Sequence, residues 1–224
     1  MSADDAADDN NRRWGQERAA PDTAIFKDYE GALQLLSPGW IREGTAPLCL
    51  DIGMGMGRFL LAESEKNPDM RFIGVDTSYQ CIKKVLQKLG SRQQRAVGLD
   101  HVRIFYGSIY QLLRLMPAGR VDRAYINYPD PWFKRRHLKR RLVCTHIMKS
   151  LGGVLKRGAE VYVQTDISDY NDVMEKEFAQ LQGYSWRRDA GDAFAGLAST
   201  LYQEKAAKQG LPRFMHVLGY HGTE

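Results

Sequence analysis

Short β-type runs alternating with helical stretches fill the middle of this chain and leave few folds open to it. PLCLDIG, RFIGVD, HVRIFYG, RVDRAYINY and AEVYVQTD read as strands, while RFLLAESEK and YQCIKKVLQKL carry the apolar spacing of helices. QLLRLM and a helix after Arg140 occupy the later gaps. Consecutive strands joined by crossovers of about ten residues or more are not hairpins, so the expected class is α/β, a parallel sheet covered on both faces. A helix from Tyr170 to about Leu181, then YSWRRD and RFMHVLGYH, give the last third a β-type ending. No internal repeat and no Pro- or Ser-rich linker marks a boundary, so residues 21–224 are expected to form one domain, ordered from about Asp22. Residues 1–20 are rich in Asp, Asn, Ala and Arg without an apolar period, and the expectation for them is a flexible acidic arm.

Composition narrows the setting. No run approaches the roughly 18 apolar residues of a membrane span, and MSADDAADDN lacks the basic start and apolar stretch of a signal peptide, so a cytoplasmic protein is expected. Cys49, Cys81 and Cys144 lie far apart and suggest neither a disulfide framework nor a zinc site. His101, His146, His216 and His221 have no metal spacing, and no metal is expected. Net charge is +5 with a pI near 9.1, although Asp4, Asp5, Asp8 and Asp9 sit together at the start. The excess is concentrated in KRRHLKRR, residues 134–141, which suits a polyanionic partner such as nucleic acid.

In parallel sheets ligands bind at the carboxyl ends of the strands, where strand order reverses. The first strand there runs into Asp51, then Gly53, Gly55 and Gly57, spaced so that backbone can approach a ligand with a helix behind it. A dinucleotide fingerprint would require glycine at Arg58, so that motif fails by one residue. A carboxylate at Asp51 would repel a pyrophosphate but can accept hydrogen bonds from an ammonium group. Asp76, closing the second strand about 20 residues beyond the loop, is placed to accept bonds from ribose hydroxyls. DIGMGMGRF followed by IGVD resembles the S-adenosylmethionine site of Rossmann-like methyltransferases, a fold with a mostly parallel seven-stranded sheet. The resemblance places the adenine near Gly107-Ser108-Ile109-Tyr110, where Ser108 stands in for an acid common at that position.

The fourth strand leads into Tyr128-Pro129-Asp130-Pro131-Trp132, in which two prolines bracket one carboxylate and exclude a helix. Taken alone, the proline pair is a plain turn and the basic run a solvated helix start. Together, NYPDPWFKRRHLKRR resembles the signature of the tRNA (guanine-N7)-methyltransferases, which modify guanine 46 in the variable loop. Gln164-Thr165-Asp166 with Tyr170, and Thr200-Leu201-Tyr202-Gln203, are similar to two further elements of that family. Gln203 replaces its expected Glu, with Glu204 next door.

The resemblance implies S-adenosylmethionine as cofactor, held by Asp51, Gly53, Gly55, Gly57, Asp76 and Ser108, and tRNA as partner. It implies substrate contacts at Lys134, Asp166, Thr200, Tyr202 and Gln203, and phosphate contacts at Arg135, Arg136, Lys139, Arg140 and Arg141. A monomer or homodimer suits this reading, and an accessory subunit stays open. Asp130 is the catalytic candidate, either accepting from the Watson–Crick edge of guanine or holding the cofactor's ammonium group. Trp132, Phe133, Tyr128 and Tyr202 are candidates both for stacking on a base and for ordinary packing. A methyltransferase acting on another target, and an RNA-binding protein without activity, are the competing readings.

Overall fold

Seven strands join one sheet in the computed structural model, which describes residues 36–42, 44–94 and 99–222. The expected acidic arm and the start of order near Asp22 lie outside the described residues. The elements run α1 (Pro38–Arg42), β1 (Leu48–Ile52), α2 (Arg58–Lys66), β2 (Arg71–Asp76), α3 (Tyr79–Gln94), β3 (Val102–Tyr106), α4 (Ile109–Leu115) and β4 (Val121–Asn127). They continue with a 3-10 turn (Arg135–Arg140), α5 (Thr145–Gly152), β5 (Leu155–Thr165), α6 (Ser168–Phe178), β6 (Tyr184–Arg187), α7 (Leu201–Lys208) and β7 (Phe214–Tyr220). Strand order is β3-β2-β1-β4-β5-β7-β6, with β1 to β5 parallel and β7 antiparallel to both of its neighbours. The chain therefore reverses direction across the sheet between β1 and β4, the place where ligands sit in such sheets.

Alternation along β1 explains the layering. Leu48, Leu50 and Ile52 face a cluster with Leu112, Met148, Leu151, Tyr170 and Phe178, from α4, α5 and α6. Cys49 faces the other way, among Phe59, Leu60, Phe72, Val85 and Tyr125, over which the 190–198 segment also folds. All five β1 residues are buried, as a parallel strand covered on both faces requires. All three cysteines are free, and burial pushes the Cys49 thiol up to about 12. No helix among the described residues is long and apolar enough to cross a membrane.

Several boundaries differ from the sequence reading. The basic run is an exposed 3-10 turn, and the α-helix expected right after Arg140 starts only at Thr145. β5 begins four residues early at Leu155, and α6 spans Ser168–Phe178 instead of reaching Leu181. Helix α7 arises where no helix was expected, because the Thr200 hydroxyl accepts from Gln203 N at 2.9 Å and starts it.

Gly57 opens α2 with φ of 67°, and a Cβ there would lie 2.7 Å from Val85 Cγ2 in α3. Gly57→Ala combines left-handed backbone strain with that clash, and denaturant unfolding is expected to show a loss of roughly 1–3 kcal/mol.

Candidate functional site

The carboxyl ends of β1 to β5 share one edge of the sheet, and the glycine-rich turn begins there. Gly53 N and Met54 N both donate to Val75 O, at 2.9 and 3.2 Å, tying the turn to the end of β2. Asp76 continues the tie: its two oxygens accept from Gly55 N at 2.9 Å and Ser78 N at 2.8 Å. Each carboxylate oxygen retains a lone pair, so the capacity to accept from ribose hydroxyls persists. Gly55 has φ of 53°, and a Cβ built on it would meet nothing within 4 Å, so the turn leaves open space at its tip.

Asp51 is 2% exposed, and its Oδ2 has no hydrogen-bond partner among the described residues. Burial, then the nearby charge of Asp76, raise its pKa to about 7, while the Asn127 amide opposes the rise. A buried carboxylate with an unused acceptor beside a second carboxylate fits a ligand bearing a cationic donor. Asn127 Nδ2 is likewise buried without a partner. This pairing of an orphan acceptor with an orphan donor accords with a zwitterionic amino-acid group, as S-adenosylmethionine carries.

Ser108, the residue expected near the adenine, has a part in the fold as well. It caps α4: its hydroxyl accepts from Gln111 N at 3.3 Å, and its own N–H donates to Gln111 Oε1 at 2.9 Å.

Past β4, Asn127 is followed by Tyr128 at φ 51° and, beyond the two prolines, Trp132 at φ 42°. Left-handed backbone at two bulky aromatic residues around a Pro-Asp-Pro turn is the pattern of a strained functional loop. Asp130 is exposed, and its carboxylate has no hydrogen bond or ion pair among the described residues. Trp132 is covered by Arg140 at 5.0 Å and His137 at 5.4 Å, whereas Phe133 is 53% exposed. Lys134, Arg135, Arg136, Lys139 and Arg140 are all exposed. Arg141 departs from them: it is half-buried, its Nε donates to Pro131 O at 2.8 Å, and its guanidinium lies over Tyr170. Its first role is to hold the proline loop.

Helix α7 brings the second motif to the same edge. Tyr202, 61% exposed, stacks on Tyr128 with centroids 6.1 Å apart. Glu204 pairs with Arg58, the first residue of α2, so the acid beside Gln203 is engaged with the glycine turn's own helix. Buried Glu63 of α2 accepts from Ala198 N at 2.7 Å, and Lys66 reaches Gly196 O at 2.9 Å, fixing the approach to α7. Thr200 is buried as the α7 cap, and half-buried Asp166 lies close enough to raise the pKa of Tyr128, after burial and against the opposing charge of Arg213. The edge thus gathers Asp51, the glycine turn, Asp76, Asp130, Asp166, Thr200 and Tyr202, with the exposed basic turn beside them.

Residues that sequence reasoning left without a role complete the site. Arg213 Nε donates to Gln164 Oε1 at 2.8 Å, and Gln164 Nε2 donates to Asn127 Oδ1 at 2.6 Å. Gln164 is 1% exposed. The available signal was the polar residue ending two apolar runs, AYIN and VYVQ, which the register places opposite one another as Asn127 and Gln164.

Comparison with known proteins speaks to the family and the fold. Residues 45–214 match a family described as putative methyltransferases. A tRNA (guanine-N(7)-)-methyltransferase of Cereibacter sphaeroides is 33% identical over 77% of this chain and 69% of its own length. The enzyme of the same name from Ruegeria pomeroyi is 35% identical over 78% and 72%. Among solved structures, a 16S rRNA (adenine(1408)-N(1))-methyltransferase from Catenulisporales acidiphilia superposes with a TM-score of 0.57 at 15% identity, covering 84% of this chain and 94% of that one. The 16S rRNA methyltransferase KamB gives 0.57 at 15% identity, over 82% and 91%. These last two share the fold. With a glycine turn, paired acids and proline-bracketed aspartate in a frame common to methyltransferases, and relatives matched over most of both chains, this chain belongs to the tRNA (guanine-N7)-methyltransferase family.

Proposed function

We propose that this protein transfers the methyl group of S-adenosylmethionine to N7 of guanine 46 in the variable loop of tRNA. The observation that carries the reading is the placement of an unpartnered Asp130 and an exposed basic turn at the same sheet edge as the Asp51–glycine turn–Asp76 pocket. The names of the relatives support guanine N7 of a tRNA as the acceptor.

Asp51 and Asn127 would hold the amino-acid end of the cofactor, Asp76 the ribose, and the open tip at Gly55 the body of the ligand. Bound S-adenosylmethionine supplies a methyl group activated by its sulfonium. Guanine N7 has a lone pair and no proton, so no general base is needed and the protein's task is alignment. Asp130 would accept from the N1–H and N2–H2 donors of guanine, which become more acidic as N7 gains the methyl, so that these bonds strengthen in the transition state. In A-form RNA the edge carrying N7 lies in a deep, narrow groove, and the base must be loosened to reach the site. Tyr202 and Phe133 present exposed rings for it, while the cations of the basic turn meet phosphates and set the register of the tRNA.

Three outcomes check this reading. Labelled S-adenosylmethionine incubated with tRNA is expected to yield 7-methylguanosine at position 46 and none in tRNA carrying adenine there. Asp130→Asn is expected to lower turnover on the same tRNA about 100-fold while leaving tRNA affinity nearly unchanged. Label at another position, or native turnover in Asp130→Asn, would count against it.

Alanine at Arg136, Lys139 and Arg140 together is expected to reduce the salt slope of tRNA binding by about 2–3 units, at roughly 0.7–0.9 per phosphate contact. Filter binding across a salt series reads this directly, and S-adenosylmethionine affinity should not move.

The raised pKa of Asp51 sets the pH dependence. Only the ionised carboxylate attracts an ammonium group, so affinity is complete above about 7 and lost as pH falls through it, by about tenfold per unit. Calorimetry should find this fall in binding, whereas turnover at saturating substrates stays flat because no base titrates.

A further inference from the structure

The contacts Arg213–Gln164–Asn127 have a chemical direction. The Arg213 Nε is only a donor, so the Gln164 atom it meets must be the amide oxygen. Gln164 then has only its N–H2 left for Asn127, which must answer with its own oxygen. Asn127 is left with its N–H2 group. The register pairs Asp51 with Tyr125, so Asn127, two residues on in β4, shares the face and the neighbourhood of Asp51, where its amide favours the charged acid. The orientation of two amides, each otherwise free to turn by half a circle, thus follows from one guanidinium at the start of β7. Both Asn127 Nδ2 and Asp51 Oδ2 are buried without a hydrogen bond among the described residues, and so are available to a ligand.

We propose that Arg213 is a positioning residue for the cofactor: acting through Gln164 and Asn127, it keeps an amide donor turned toward Asp51, so that the pocket offers donor and acceptor together to the amino-acid end of S-adenosylmethionine. The proposal deepens the function given above and rests on it. Without Arg213, Gln164 can reverse, and Asn127 can then present its carbonyl to the Asp51 carboxylate. That arrangement places two acceptors side by side, repels the ligand's carboxylate and withdraws the donor that favours the ionised acid.

The test uses two ligands that differ at one end, S-adenosylhomocysteine, which has the amino-acid group, and 5′-methylthioadenosine, which lacks it. Calorimetry on the full chain should find that Arg213→Met weakens S-adenosylhomocysteine about tenfold or more and leaves 5′-methylthioadenosine within about twofold. Gln164→Glu keeps a partner for Arg213 but cannot donate to Asn127, and should produce the same selective loss. In Arg213→Met the pH below which S-adenosylhomocysteine affinity declines should also move upward, since the amide no longer favours the charged acid. Equal weakening of both ligands would assign Arg213 to general stability and overturn the proposal, as would native affinity in either variant. A native protein that binds neither ligand would remove the cofactor reading itself and the relay with it. That result is distinct from native binding that the variants leave unaltered.

Discussion

A carboxylate is held out of water at the end of β1, and the arrangement of the surrounding strand ends follows from accommodating it. Asp51 sits where strand order reverses, with Asp76 as neighbour on one side and Asn127 on the other. Burying a charge without a partner is costly, and the described residues offer only a partial remedy: one amide near the acid and one oxygen with nothing among them to accept from. The second carboxylate is made secure by two backbone N–H groups, one from the glycine turn itself. The turn, both acids and the amides are thereby one unit, in which moving any member disturbs the others.

The far end of the chain is attached to that unit by contacts that ignore sequence distance. Glu63, Lys66 and Arg58 lie along α2 and take hold of residues 198, 196 and 204. The helix that starts behind the glycine turn consequently also carries the segment that delivers Thr200 and Tyr202. Stacking of Tyr202 on Tyr128 then connects this segment with the proline loop after β4. The candidate cofactor pocket and the candidate RNA edge are joined through α2 as well as through the sheet.

The five parallel strands were legible because each carries a short, mostly buried apolar stretch, as in LCL of β1 and FIGV of β2, although charged residues interrupt β3, β4 and the start of β5. The acids and glycines of the candidate pocket were legible because they stand at the ends of those strands. Insertion of β7 between β5 and β6 was not, since pairing of distant antiparallel strands leaves no local trace in RFMHVLGYH. Nor could α7 be foreseen, resting on a Thr200 cap and tertiary anchoring to α2 more than on apolar spacing. The capping of α4 by Ser108 was not read either, although Gln111 three residues on is the signal for it. Arg213 was passed over as the start of a strand. Its meaning depends on its side chain reaching back to Gln164, whose partner in β7 is Met215, and only the pairing of β5 with β7 brings the two together.

The positive φ angles at Tyr128 and Trp132 set local stability against the precision of Asp130. A loop with glycine or asparagine at those positions would adopt the same turn with less strain, yet would have more ways to leave it. Bulky rings make the conformation costly to enter, and their contacts with Tyr202, Arg140 and His137 make it hard to leave. The backbone of the aspartate between the prolines is therefore confined in the folded chain, and the entropy of fixing it belongs to folding, not to a later encounter with a ligand. Were this loop to meet RNA as proposed, recognition would be shifted backward in time: much of the ordering that binding would otherwise demand is complete when the chain reaches its native state.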